Sequence, residues 1–220
     1  MSHLAAASAH GAAPVALGDE RAAPCLVWEV TRACTLACSF CRSAVQVGRH
    51  FRELSTLEGF RMLNEARGLG PVRVLLSGGD PLEREDLPDL VEHAARQGLR
   101  PWITLCPTAA AAPAALARLA EVGLEGVLVR AVGADAGAHD EAAGLPGAWI
   151  RLEQAVAAAR ALGLAVERTA DGRVSEASVL RVEPTGVIRL AGAAAGDVRR
   201  DDVVELWLTR PDTGGAPSRS

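Results

Sequence analysis

Three of the five cysteines fall inside the eight residues Cys34-Thr35-Leu36-Ala37-Cys38-Ser39-Phe40-Cys41. Thiolates are soft ligands that suit iron–sulfur clusters, Zn or Cu(I). A cubane iron–sulfur cluster takes one thiolate per iron, four in all. Three local cysteines with no fourth nearby suit a cluster with one iron left open, and an open iron can bind a substrate or cosubstrate. Two plainer readings stand beside this one. Positions 34, 38 and 41 follow i, i+4, i+7, one face of a helix, and buried free cysteines behave as small hydrophobes. A zinc site is the other. Placement favours the cluster. The apolar run Cys25-Leu26-Val27-Trp28-Glu29-Val30 reads as a strand, so the cysteines lie just past its carboxyl end, where α/β folds carry ligands. Arg32 and Arg42 bracket the block, and positive neighbours lower a thiol pKa.

A second motif sits at the end of the next strand. Pro71-Val72-Arg73-Val74-Leu75-Leu76 leads into Ser77-Gly78-Gly79-Asp80-Pro81-Leu82. Paired glycines let backbone approach a ligand closely or take positive φ. An ordinary strand-to-helix turn with Asp80 as a helix cap explains the same residues. The third strand, Arg100 to Leu105, leads into Cys106, read as a packed thiol, a substrate contact or a fourth cluster ligand.

The elements that must hold these tips alternate. A first strand covers Leu26–Thr31. A helix starts at Ser55-Thr56-Leu57-Glu58, the signature of a capped amino terminus, and stops at Gly68 and Gly70. Further helices are expected from about Leu87 to Gln97, from Pro113 to about Val122 and from Trp149 to Leu162. A fourth strand covers Gly126–Arg130, followed by a loop from Gly133 to Asp140, and a fifth covers Leu164–Thr169. Strands alternating with helices mean βαβ units and a parallel sheet. After Asp171-Gly172 the pattern changes to two strands around Pro184-Thr185-Gly186, a hairpin, then a short amphipathic helix at Asp201–Leu208. The expected organisation is a disordered segment 1–24, a core 25–171, a hairpin and short helix 172–210, and a loose tail 211–220.

Composition narrows the partners. The net charge of −4 and 3% aromatic content with no tyrosine argue against nucleic acid or an anionic membrane. An odd cysteine count with three clustered fits a reducing, cytoplasmic setting rather than a disulfide framework. No apolar run reaches transmembrane length, and residues 1–24 lack the pattern of a signal peptide.

Cys34-x-x-x-Cys38-x-Phe40-Cys41 resembles the signature of the radical S-adenosylmethionine (radical SAM) superfamily. Trp28-Glu29-Val30-Thr31-Arg32-Ala33-Cys34 and Ser77 to Leu82 are similar to its SPASM-like branch, whose members include haem-modifying and peptide-modifying enzymes. The resemblance implies a partial (β/α) barrel of about five parallel strands with a small C-terminal hairpin and helix. It implies a [4Fe-4S] cluster on Cys34, Cys38 and Cys41, with S-adenosylmethionine chelating the fourth iron. Reductive cleavage of the sulfonium then gives a 5′-deoxyadenosyl radical that abstracts hydrogen from a small-molecule or peptide substrate. Phe40, Ser77, Gly78, Gly79, Asp80 and Arg130 are the implied cofactor-binding residues, and a flavodoxin or ferredoxin is the implied electron donor.

Three departures qualify the resemblance. Arg130-Ala131-Val132-Gly133 stands where the family reads Ser-x-Asp-Gly, which gives Arg130 the task of meeting a carboxylate. The chain passes from strand five directly to the hairpin, where the family has a sixth barrel strand. No cysteine follows Cys106, so no auxiliary cluster can form there. An open sheet edge invites association with a partner or a second copy. Two rival functions follow: a degenerate relative that binds a cluster without catalysis, and an electron-transfer protein with Cys106 as fourth ligand.

Overall fold

The computed structural model describes residues 25–41, 43–108, 111, 113–169 and 179–210. The expected disordered segments 1–24 and 211–220, and the 171/172 boundary, lie outside the described residues. Eight strands form one sheet in the order β5-β4-β3-β2-β1-β6-β7-β8. The strands are β1 Cys25–Thr31, β2 Arg73–Gly78, β3 Arg100–Leu105, β4 Gly126–Arg130, β5 Ala165–Thr169, β6 Val179–Val182, β7 Val187–Leu190 and β8 Ala193–Asp197. Helices α1 Thr56–Ala66, α2 Leu87–Arg96, α3 Pro113–Glu121, α4 Ala136–Ala143 and α5 Ala148–Ala161 lie in the crossovers between the first five strands, and α6 Val203–Leu208 follows β8.

Six strands run parallel rather than five. The hairpin is present, but β6 also lies parallel along β1, pairing Cys25 with Val179 and Trp28 with Val182. The apolar alternation of Val179–Val182 has the same period whichever way its neighbour runs, so direction was not readable from it. The sixth parallel strand is therefore supplied beside β1, on the side away from β5. Two more elements depart from the sequence reading. The stretch expected as a loop from Gly133 to Asp140 is helical from Ala136, capped by Asp135, whose carboxylate accepts from Ala138 N at 2.9 Å. Ala193–Asp197, low in β propensity, is a strand because it pairs antiparallel with β7.

Alternation along the strands sorts side chains onto two faces. Leu26, Trp28, Val30, Val74, Leu76 and Ile103 point to the helices and join Leu63, Leu90 and Leu116 in the main core. Helix α1 enters that core through a capping box: Ser55 N donates to Glu58 at 2.8 Å and Glu58 N to Ser55 Oγ at 3.3 Å. On the opposite face Cys25, Val27, Leu75, Trp102, Leu128 and Val179 form a second buried cluster. There Arg73 on β2 reaches Glu167 on β5 with two 2.8 Å bonds, passing over β3 with its guanidinium 3.9 Å from the Trp102 ring. Strands three places apart are about 14 Å apart in a flat sheet. The sheet curls toward this face, which is its hollow.

Candidate functional site

The site begins where β1 runs out. Ala33 N donates to Thr31 Oγ1 at 3.0 Å, and the chain turns into the cysteine loop. A return segment braces it: Cys34 N donates to Gln46 O at 3.0 Å and Gln46 N to Arg32 O at 2.9 Å. Residues 34–41 are irregular, with a turn closed by Cys41 N to Cys38 O at 3.0 Å. A helical core stripe is thereby excluded. The far side of the loop docks on α4. Ser39 N donates to Ala142 O at 2.8 Å, and the Phe40 ring lies 6.0 Å from the fully buried His139.

The glycine turn at the end of β2 is pressed onto the same loop. Gly79 N donates to Thr31 O at 2.8 Å and Asp80 N to Ala33 O at 2.7 Å. Gly78 has φ +115°, and a Cβ there would stand 2.3 Å from Thr31 O. A Cβ on Gly79 would stand 2.2 Å from Ala33 O. Only glycine permits this approach.

Between the strand tips lies a cavity walled by Cys34, Cys38, Phe40 and Cys41, by Gly78 and Gly79, and by Thr104, Cys106 and Arg130. All three cysteines of the motif are free and half-buried. Burial pushes the Cys34 thiol up, opposed by a 3.4 Å bond from Leu36 N to its Sγ, and nearby Asp80 and Cys41 push it further up. Burial also raises Cys38, with Cys41 and Cys34 adding to it and Arg130 opposing. The sulfurs thus sense one another. The expectation that flanking Arg32 lowers these pKa values is not met: desolvation dominates, and no arginine except Arg130 is among the main influences on Cys34 or Cys38. Arg42 lies outside the described residues.

Among the described residues no three His, Cys, Asp or Glu side chains converge closely enough to share a single metal ion. The three thiols line one cavity, and Cys34 Sγ accepts an amide N–H; soft sulfur donors of this kind suit an iron–sulfur cluster.

Two residues singled out in the sequence do not reach the cavity with their side chains. Ser77 Oγ accepts from Thr104 Oγ1 at 2.9 Å. Asp80 is fully buried, accepts from Thr108 and from Leu82 N, and caps a short 3-10 turn, Pro81–Glu83. Burial raises its pKa against the pull of those two bonds. These contacts fix the shape of the turn that presents Gly78 and Gly79. Arg130 does reach the cavity; its Nε is buried without a hydrogen-bond partner. Burial pushes the Cys106 thiol well up, and it donates to Gly79 O at 3.6 Å. His139 and Thr108 support the site from behind, and neither carries a local sequence signal for that role.

The profile of the Radical SAM superfamily matches residues 28–174. The AdoMet-dependent heme synthase of Oleidesulfovibrio alaskensis is 34% identical over 124 residues, 56% of this chain and 32% of that protein. The PqqA peptide cyclase of Methylorubrum extorquens is 34% identical over 139 residues, 63% of this chain and 36% of the cyclase. The chain therefore spans about a third of the length of these curated relatives. Among solved structures, BtrN in complex with AdoMet and 2-DOIA superposes with a TM-score of 0.56 at 16% identity, covering 85% of this chain and 82% of that one. At that identity the likeness speaks for the fold, an α/β partial barrel with an open sheet.

Proposed function

The chain belongs to the radical SAM superfamily, and from that premise we propose that it binds a [4Fe-4S] cluster and S-adenosylmethionine and directs their radical chemistry at a peptide or tetrapyrrole substrate. When bound, the pair supplies one electron and a 5′-deoxyadenosyl radical that takes a hydrogen atom from substrate. Cys34, Cys38 and Cys41 hold the cluster. Gly78 and Gly79 present bare backbone to the methionine end, since no side chain intervenes there. Phe40, pinned between the loop and His139, gives an apolar wall for the adenine. Arg130 offers the cavity a cation and draws negative charge toward it. Ser77 and Asp80 serve by shape, through the glycine turn. The peptide and tetrapyrrole classes are suggested by the names of the relatives, a peptide cyclase and a heme synthase. A protein electron donor and a reducing, cytoplasmic setting complete the proposal. In support of that setting, the five described cysteines are unbridged, and no described helix is long and apolar enough to cross a membrane.

The observation that carries this reading is the set of three thiols facing a paired-glycine strand tip in one cavity. Anaerobic reconstitution with iron and sulfide should load about four irons per chain. Dithionite and S-adenosylmethionine should then yield 5′-deoxyadenosine and methionine. Protein that stays colourless and iron-free sinks the reading. A loaded cluster with no cleavage would instead support the non-catalytic relative.

A further inference from the structure

We propose that the carboxyl ends of β4 and β5 form a subsite for a carboxylate group of the substrate, with Arg130 and Thr169 as its donors. The inference deepens the proposed function and rests on it for the place of the cofactor. The two residues stand side by side, Arg130 on β4 as the parallel neighbour of Thr169 on β5. Both point into the hollow, because each lies two residues beyond a side chain that already faces it. Leu128 belongs to the buried cluster of that face, and Glu167 meets Arg73 across it. Each of the two also carries a buried polar atom with nothing to bond. Arg130 Nε and Thr169 Oγ1 both lack a hydrogen-bond partner among the described residues. An unpaired buried donor is costly, and two on neighbouring strand ends call for a common acceptor. Arg130 lines the cavity, so the acceptor can enter from there.

The charges around the hollow leave that acceptor to be an anion. Its carboxylates have partners of their own. Glu167 is held by Arg73 through two 2.8 Å bonds. Glu29 pairs with Arg181 at 3.3 Å, and Glu183 pairs with Arg189. Arg130 acts on Glu29 only from a distance, as the weakest of the main influences on that carboxylate. Asp80 is buried behind the glycine turn, where Thr108 and Leu82 N donate to it, and Glu83 is exposed to solvent. The hydroxyls of Thr104 and Ser77 satisfy each other at 2.9 Å, which Thr169 has no neighbour to do.

Position separates this carboxylate from the cofactor's own. The glycine tip that serves the methionine end is on β2. Two strand spacings, about 10 Å, separate β2 from β4, and β5 lies one spacing further. Thr169 has a short side chain, so a group bonded to it and to Arg130 together lies over β4 and β5, away from the glycine tip. The rest of the cavity suits the body of a substrate, since Leu36, Phe40, Leu105 and Pro107 give it apolar walls. Apolar walls with a few placed polar groups are the usual form of a ligand site. A guanidinium and a hydroxyl on one carboxylate fix its orientation by charge-assisted bonds. The carbon chain behind that carboxylate is then held in the cavity, between β4 and the cysteine loop.

The test uses reconstituted protein, with propionate as the probe and its neutral analogue propionamide as the control. The Kd of each is measured by saturation-transfer NMR, with and without saturating S-adenosylmethionine. Wild type should bind propionate about tenfold more tightly than propionamide, whether or not S-adenosylmethionine is present. Thr169→Val keeps the shape and removes the donor. It should weaken propionate about tenfold and leave the Kd for S-adenosylmethionine at the wild-type value. Arg130→Met should weaken propionate at least as much. Equal binding of the acid and the amide overturns the proposal. So does an unchanged propionate Kd in Thr169→Val, or displacement of propionate by S-adenosylmethionine, which would give both donors to the cofactor. Protein that takes up no iron yet binds propionate through Thr169 counts against the cluster reading alone, so the two failures are distinguishable.

Discussion

At the amino-terminal end of its strands, the hollow of the sheet is filled. Val27, Leu75, Trp102 and Leu128 are at most 2% exposed, and the Arg73–Glu167 pair closes over Trp102. At the carboxyl end the same strands finish in a cavity walled by thiols, glycine backbone and Arg130. Cysteine itself shows the difference. Burial at the filled end pushes Cys25 to about 12, which leaves an inert thiol. At the open end Cys34 and Cys38 are half-exposed and influence each other. The difference teaches that strand period alone does not separate structural from chemical residues; position along the strand does.

The comparison can be broken by variants that should separate stability from iron loading. Arg73→Ala leaves Glu167 without its bidentate partner and should cost about 3–5 kcal/mol in urea unfolding, while reconstituted iron per folded chain stays at the wild-type value. Iron lost in parallel would merge the two halves. Gly79→Val should do the reverse. Its Cβ forces the β2 tip off Ala33 O, so iron content should fall below half of wild type, with a stability loss of about 1–3 kcal/mol.

A third variant probes the brace below the cysteine loop, where Arg84 donates to Val30 O at 2.7 Å and pairs with Asp86. Burial alone would raise the Asp86 pKa, but bonds from Arg84 and Thr56 outweigh it and hold it at about 2. The folded value is depressed, so this stabilisation is complete above the unfolded pKa near 4 and is lost as pH falls toward 2. Its size, reduced by solvent screening of the partly exposed carboxylate, is on the order of 1 kcal/mol. Asp86→Asn should flatten the pH dependence of unfolding in that window; an unchanged slope would remove the brace. The smallest effect is expected at Ser55→Ala, which removes a cap worth about 1 kcal/mol and should leave iron binding untouched, as circular dichroism and iron assay would show.

Much of the upper half was legible because its signals are local. The cysteine spacing, the paired glycines and the buried strand runs each sit within a few residues. The cap at Ser55 was equally local. What stayed hidden depends on distant partners. Arg73 and Glu167 are 94 residues apart, and each reads alone as a surface charge. Val179–Val182 gave its period but not its parallel neighbour β1. Asp80 matched a motif, yet its side chain answers to Thr108, 28 residues on. Helix α4 was hidden because Ala136–Ala143 has too weak a stripe to announce a buried face, although His139 within it is fully buried.

The decisive measurement is the iron content of Cys38→Ala and Cys106→Ala after identical anaerobic reconstitution. Cys106→Ala should load about four irons per chain, as the wild type should, and Cys38→Ala should load a small fraction of that. A Cys38→Ala protein with a full iron complement, or a Cys106→Ala protein that has lost it, would contradict a cluster held by Cys34, Cys38 and Cys41.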